Sequence, residues 1–268
     1  MDPSGAVLRS TLVLVACAAL AACGDDSPTD PGDGIQDLDW SAEMQPGQTL
    51  EIRGVNGSIL AQVAAGSTAR VTADKDSDDS PVSSVTFEVV THAGGVTICA
   101  MYPDVSGEPP NECQPGGGQM TVRNNDVTVE FDVQVPAGVR LIEWTVNGDV
   151  RAADVQSEVF ATTVNGNASI VTSEVAGAST VNGNVEVTIG DAAPAENLAF
   201  TTVNGSVTLR VPVDIDADVT ATTVNGTMNS DFPLANPVPG RWTGTLGAGG
   251  SDLLMTTVNG NLELRSVP

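Results

Sequence analysis

One pentapeptide, Thr-Thr-Val-Asn-Gly, constrains what this chain can fold into. It stands whole at 162–166, 201–205, 222–226 and 256–260. Shortened forms occupy Trp144 to Gly148 and Ser179 to Gly183, and an outlying Gly54-Val55-Asn56-Gly57 lies far upstream. From Asn147 onward the copies recur after roughly 17 to 22 residues, with one longer gap between Asn225 and Asn259, and a period this short marks stacked repeats.

Asn-Gly between apolar runs is the signature of a two-residue hairpin. A hairpin here would pair Val203 with Ser206 and Val258 with Asn261, setting apolar beside polar each time. Alternation carried straight through Asn-Gly does better. It puts Val203, Gly205, Val207 and Leu209 on one face, and Thr202, Asn204, Ser206 and Thr208 on the other. Val258, Gly260, Leu262 and Leu264 behave alike, as do Val181, Gly183, Val185 and Val187. A period of two with one apolar face is a half-buried strand. The spacing therefore predicts a bend or bulge inside a continuing strand, with glycine on the inner side. Asn147-Gly148, Asn165-Gly166, Asn182-Gly183, Asn204-Gly205, Asn225-Gly226 and Asn259-Gly260 are read as structural turn positions without a ligand role.

Stacked like on like, the Val rows would form a core and the Thr and Asn rows would form outer ladders. The predicted fold class is all-β: a single-stranded β-helix or β-solenoid with about two strands per coil. Second strands are expected at 157–162, 174–179, 198–202 and 213–221, and the insertion 231–250 is expected to cap or cover the stack. Residues 39–136 read as an irregular β region continuous with it. Strands are expected there at 49–53, 58–63, 68–73, 82–91, 96–102, 120–123 and 127–135.

Composition narrows the function. Aromatics are 3% of the chain and the formal net charge is −24, with Lys75 the single lysine. Nucleic acid is excluded by the sign of that charge, and anionic lipid surfaces are disfavoured as direct partners. The acidic run Asp74 to Asp79 has Asp79 and Val85 where a calcium loop of the EF-hand kind requires glycine and an acid. It is read as a solvated turn, and no metal or cofactor is expected. The single histidine, His92, stands apart from any nucleophile motif, so no catalytic residue is assigned.

At the N-terminus, Arg9 precedes an apolar run from Thr11 to Ala22 that is too short to span a membrane as a mature helix. Its end, Leu20-Ala21-Ala22-Cys23, resembles the lipobox of bacterial lipoproteins. That resemblance implies cleavage after residue 22, lipidation of Cys23 and anchoring in a membrane; Gly24 after the cysteine implies outer-membrane sorting. Residues 23–38 then form an acidic, Pro/Gly-rich tether. Of the remaining cysteines, Cys17 falls in the signal, leaving Cys99 and Cys113 as a pair in an oxidising compartment. A disulfide there would close a loop of about 15 residues, stabilising by ~3 kcal/mol in the chain-entropy model.

Val135-Pro-Ala-Gly-Val139 is followed by Trp144-Thr-Val-Asn-Gly-Asp-Val150. Val211 to Val219 then leads to Thr223-Val-Asn-Gly226, and Gly247-Ala-Gly-Gly250 leads to Leu254 through Gly260. In these phrases residues 45–268 resemble the bacterial adhesin-like family of domains of unknown function, related to head-GIN domains. The resemblance implies a β-helix-like fold at the cell envelope and carries over no catalytic residues. The expected function is a non-enzymatic, lipid-anchored envelope protein used for adhesion, binding or structural contacts, with a glycan or a protein as ligand. The alternatives are a carbohydrate-active β-helix enzyme using paired carboxylates, and a scaffold that self-assembles by edge pairing. The predicted organisation is signal 1–22, tether 23–38, N-terminal β region 39–136 and repeats 137–268.

Overall fold

The computed structural model describes residues 38–190, 194 and 196–267. Cys23, the signal and nearly all of the tether lie outside them. The described residues belong to one compact unit, Ile35–Pro268.

Strands follow where β-branched and apolar residues alternate with polar ones. Before the repeats lie β1 (Leu38–Glu43), β2 (Thr49–Arg53), β3 (Ile59–Val63), β4 (Thr68–Asp76), β5 (Thr86–His92), β6 (Gly95–Met101) and β7 (Thr128–Val135). Within the repeats come β8 (Arg140–Trp144), β9 (Val150–Val155), β10 (Val159–Thr162), β11 (Ala168–Thr172), β12 (Ala176–Ser179) and β13 (Val185–Ile189). Next are β14 (Leu198–Thr201), β15 (Val207–Pro212), β16 (Ala217–Asn225) and β17 (Met228–Ser230). The insertion gives β18 (Ala235–Val238) and β19 (Arg241–Leu246), and β20 (Ser251–Asn259) and β21 (Leu262–Val267) finish the chain. The strand expected at 120–123 does not form, and β4 runs on into the acidic stretch as far as Asp76.

Among the described residues the strands assemble into two sheets rather than the expected solenoid. One has ten strands, in the order β1-β4-β7-β3-β9-β11-β13-β15-β21-β17. The other has eleven, in the order β18-β19-β16-β20-β14-β12-β10-β8-β2-β6-β5. Both are mixed. The repeat strands pair in parallel, whereas β1 with β4, β4 with β7, β5 with β6, and β16 with β19 pair antiparallel. Nor does spatial order follow chain order, because β20 and β21 insert between earlier strands. The solenoid reading assumed that every repeat stacks on its predecessor, but antiparallel strands from the N-terminal region and the insertion extend both sheets. Inward-facing side chains of both sheets, such as Leu141, Phe200 and Met255 from one and Ile170, Val187 and Leu209 from the other, form one core.

The alternation read through Thr-Val-Asn-Gly is also corrected. After the glycine it holds, with Val185, Val187, Val207, Leu209, Leu262 and Leu264 buried. Before the glycine it is inverted: Thr180, Thr202 and Thr257 are buried, whereas Val181, Val203 and Val258 are 36–39% exposed. The cause is in the backbone. The N–H groups of Val164 and Asn165 both donate to the Val146 carbonyl, at 3.3 and 2.7 Å, and those of Val181 and Asn182 both donate to Val164. In an extended strand successive N–H groups point to opposite edges. Two that converge on one acceptor mark a corner, and the corner shifts the alternation by one residue.

Candidate functional site

Each motif copy contributes to four parallel rows, which the sheet register lines up. The first row is Trp144, Thr162, Ser179, Thr201, Thr256 and Thr222, paired directly across six adjacent strands from β8 to β16. These residues alternate with the inward Glu143, Ala161, Ala178, Phe200, Met255 and Ala221, so they face outward, half-buried. The Thr201 hydroxyl donates to Ser179 Oγ at 3.0 Å.

The second row is the next threonine, and it points inward. The hydroxyls of Thr163, Thr180, Thr202 and Thr257 donate to the carbonyls of Gly148, Gly166, Gly183 and Gly205, each at 2.8 Å. Valine forms the third row, exposed at Val181, Val203, Val224 and Val258 but buried at Val55. Asparagine forms the fourth, a continuous amide ladder. Asn147, Asn165, Asn182, Asn204 and Asn259 each donate Nδ2 to Oδ1 of the rung before, beginning at Asn56, with distances of 2.8–2.9 Å. Asn225 closes the ladder on Asn259 at 2.8 Å. The outlying Gly54-Val55-Asn56-Gly57 is thus the first rung. The glycines keep the stack close: a Cβ on Gly183 would lie 1.9 Å from the Gly166 carbonyl oxygen.

Beside the outward hydroxyl row runs a shallow groove of about 230 Å³, with Gly177 and Ala199 in its floor and Phe160 at one side. Thr162, Ser179, Thr201 and Asn197 also line it. The Arg140 guanidinium sits 4.6 Å from the centre of the Phe160 ring. Arg140 in turn lines a neighbouring cleft of about 500 Å³ with Ser157, Glu158, Glu174 and Glu196. Its Nε lies 3.2 Å from Glu158 Oε2, too poorly aligned for a hydrogen bond, and its Nη2 lies 3.9 Å from Glu196. At the other end of the row, Arg53 lies 4.9 Å over Trp144 and pairs with Glu51 at 2.8 Å.

Cys99 and Cys113 are joined by a disulfide, with their Cα atoms 5.8 Å apart. Its loop meets Glu51, which is 2% exposed and accepts from Thr97 Oγ1 at 3.0 Å and from the Gly116 N–H at 2.8 Å. His92 ends β5, where its Nδ1 accepts from the Gly94 N–H at 3.2 Å. In the acidic turn, the Asp126 carboxylate accepts from the backbone N–H groups of Asp78, Asp79 and Ser80. Among the described residues no group of three His, Cys, Asp or Glu side chains is arranged to hold a metal ion.

One group escaped sequence reasoning. Glu143 is wholly buried between Ile52 and Ala161 in the sheet, and neither carboxyl oxygen has a hydrogen-bond partner. Desolvation pushes its pKa up to about 8, so it is largely neutral at pH 7. The signal was readable, since Glu143 shares the parity of the apolar Leu141.

No family model and no curated protein matches this chain. Among solved structures, a candidate cell adhesion protein from Clostridium sporogenes is similar at 9% identity and a TM-score of 0.47, covering 87% of this chain and 100% of that one. A candidate adhesin from Bacteroides fragilis aligns at 8% identity and a TM-score of 0.31, over 87% of this chain and 98% of the other. A candidate lipid binding protein from Parabacteroides distasonis aligns at 10% identity and a TM-score of 0.25 with the same coverage. At these values the likeness fixes neither a family nor a function.

Proposed function

We propose that this is a non-catalytic cell-envelope protein, anchored through a lipid on Cys23, that binds an extended glycan along the outer face of its eleven-stranded sheet. The observation that carries the reading is the row of five hydroxyls from Thr162 to Thr222, held in register across five strands beside the Phe160 groove and flanked by Trp144. Rungs recur at the strand spacing of about 4.8 Å. Hydroxyls with both donor and acceptor capacity, set beside a small apolar floor, suit a polymer whose rings show hydroxyls at their edges and C–H groups on their faces. Glu158, Glu174 and Glu196 around Arg140, together with a net charge of −24, disfavour polyuronates and favour neutral or amino sugars.

The test is affinity electrophoresis of residues 35–268 through gels cast with neutral, cationic or anionic polysaccharides. Retardation is expected in the first two, weakened in Phe160→Ala and Thr201→Val, with no shortening of the polymer on long incubation. Unretarded migration in all gels, or retardation indifferent to both substitutions, defeats the glycan reading. Anchoring is tested separately: Cys23→Ser is expected to move the protein from the membrane to the soluble fraction.

A further inference from the structure

The seven Asn-Gly pairs of the chain lie in one ladder, but they are not chemically equivalent. An Asn-Gly step can rearrange on its own. The glycine backbone nitrogen attacks Cγ of the preceding asparagine, forming an N–Cγ bond. The Cγ–Nδ2 bond breaks, and ammonia leaves with the proton that the glycine nitrogen gives up. Water then opens the resulting succinimide to aspartate or isoaspartate. Glycine has no side chain to impede the attack. A folded structure opposes it by engaging the glycine N–H and by holding the asparagine side chain in place.

Six of the seven steps are engaged in this way. Gly57 donates its N–H to Asn147 O at 2.8 Å, Gly148 to Asn165 O at 3.0 Å and Gly166 to Asn182 O at 3.1 Å. Gly183 donates to Asn204 O and Gly205 to Asn259 O, both at 3.0 Å, and Gly260 donates to Asn225 O at 3.1 Å. In the same six, the asparagine Oδ1 accepts from the following rung. The seventh step stands at the end of the ladder, where no further motif follows. Among the described residues the Gly226 N–H has no acceptor and Asn225 Oδ1 has no donor, so this side chain is tied by Nδ2 alone. Both residues are exposed to water.

We propose that Asn225 is a built-in deamidation site of the folded protein, the first of the seven to convert. Conversion replaces the Nδ2 that donates to Asn259 with a carboxylate oxygen that repels Asn259 Oδ1. The last rung then opens, and the product carries one more negative charge.

The experiment is a time course of the mature protein at mildly alkaline pH, read by peptide mapping with isoaspartate detection, alongside the same protein in guanidinium. Folded, Asn225 is expected to convert ~10-fold or more faster than the other six, which must first open locally. In guanidinium the seven rates are expected to converge. Equal rates in the folded protein overturn the proposal, as does an interior rung converting first. So does an advantage of Asn225 that persists in guanidinium, because the cause would then be local sequence and not the ladder.

Discussion

Two threonines adjacent in sequence have opposite roles. Thr202 is 3% exposed and is the hydroxyl donor to the Gly183 carbonyl, whereas Thr201 faces outward on the sheet. Thr202→Val keeps the shape but deprives the partly buried Gly183 carbonyl of its donor, at a cost of about 1–3 kcal/mol. Thr201→Val is expected to stay within about 0.5 kcal/mol of wild type. Urea denaturation of the two variants distinguishes them, and equal losses would mean that the rows are wrongly assigned. Glu143 gives a pH signature. Its folded pKa is raised to about 8 from an unfolded value near 4.5, so the folded state is favoured by protonation. Its contribution is full below pH 4.5, falls as pH rises from there to about 8, and is flat above. Glu143→Met replaces an unsatisfied carboxyl with an apolar side chain of similar length. It is expected to remove that slope and to stabilise the protein at pH 8 by roughly 2 kcal/mol or more. Subtracting the two stability profiles cancels carboxylates such as Asp126, whose bonds with the Ser80 side chain and with backbone amides hold its pKa low.

At the scale of strands, the all-β class and most of the elements before the repeats were legible. Residues 49–53 form β2 as expected, because Thr-Leu-Glu-Ile-Arg alternates without interruption. The motif itself misled in one respect. Whether Val203 or Thr202 turns inward depends on which neighbouring carbonyl the Asn204 amide reaches, and that acceptor, Val181, belongs to another repeat. Asn56 stands in the sequence as an outlying copy, and nothing local shows that the chain returns to lie beside it some 90 residues later. The outward hydroxyl row is half legible: the first threonine recurs visibly, but Trp144 and Ser179 join it only through register. The groove was not legible at all. Gly177 and Ala199 are unremarkable in sequence and acquire meaning only when paired beside Phe160.

At the scale of the molecule, the expected regular coil gives way to a reordered pair of sheets. The long gap between Asn225 and Asn259 was visible in the sequence, but its topological outcome was not. The chain first lays down β16 and β17 and then adds β18 and β19 outside β16. It returns last to thread β20 and β21 between earlier strands. Among the described residues β17 pairs with β21 alone, and β16 has β20 as its single parallel partner. Ending the chain after Gly250 is therefore expected to unfold everything beyond β15, seen as fast amide exchange at 217–246, while the β2–β13 region stays protected. Uniform protection in such a truncated chain would contradict this dependence. The order has a temporal meaning for a chain made from its N-terminus. β20 and β21, made after every strand they join, are the keystone, so the repeat face cannot be complete until β21 has been added.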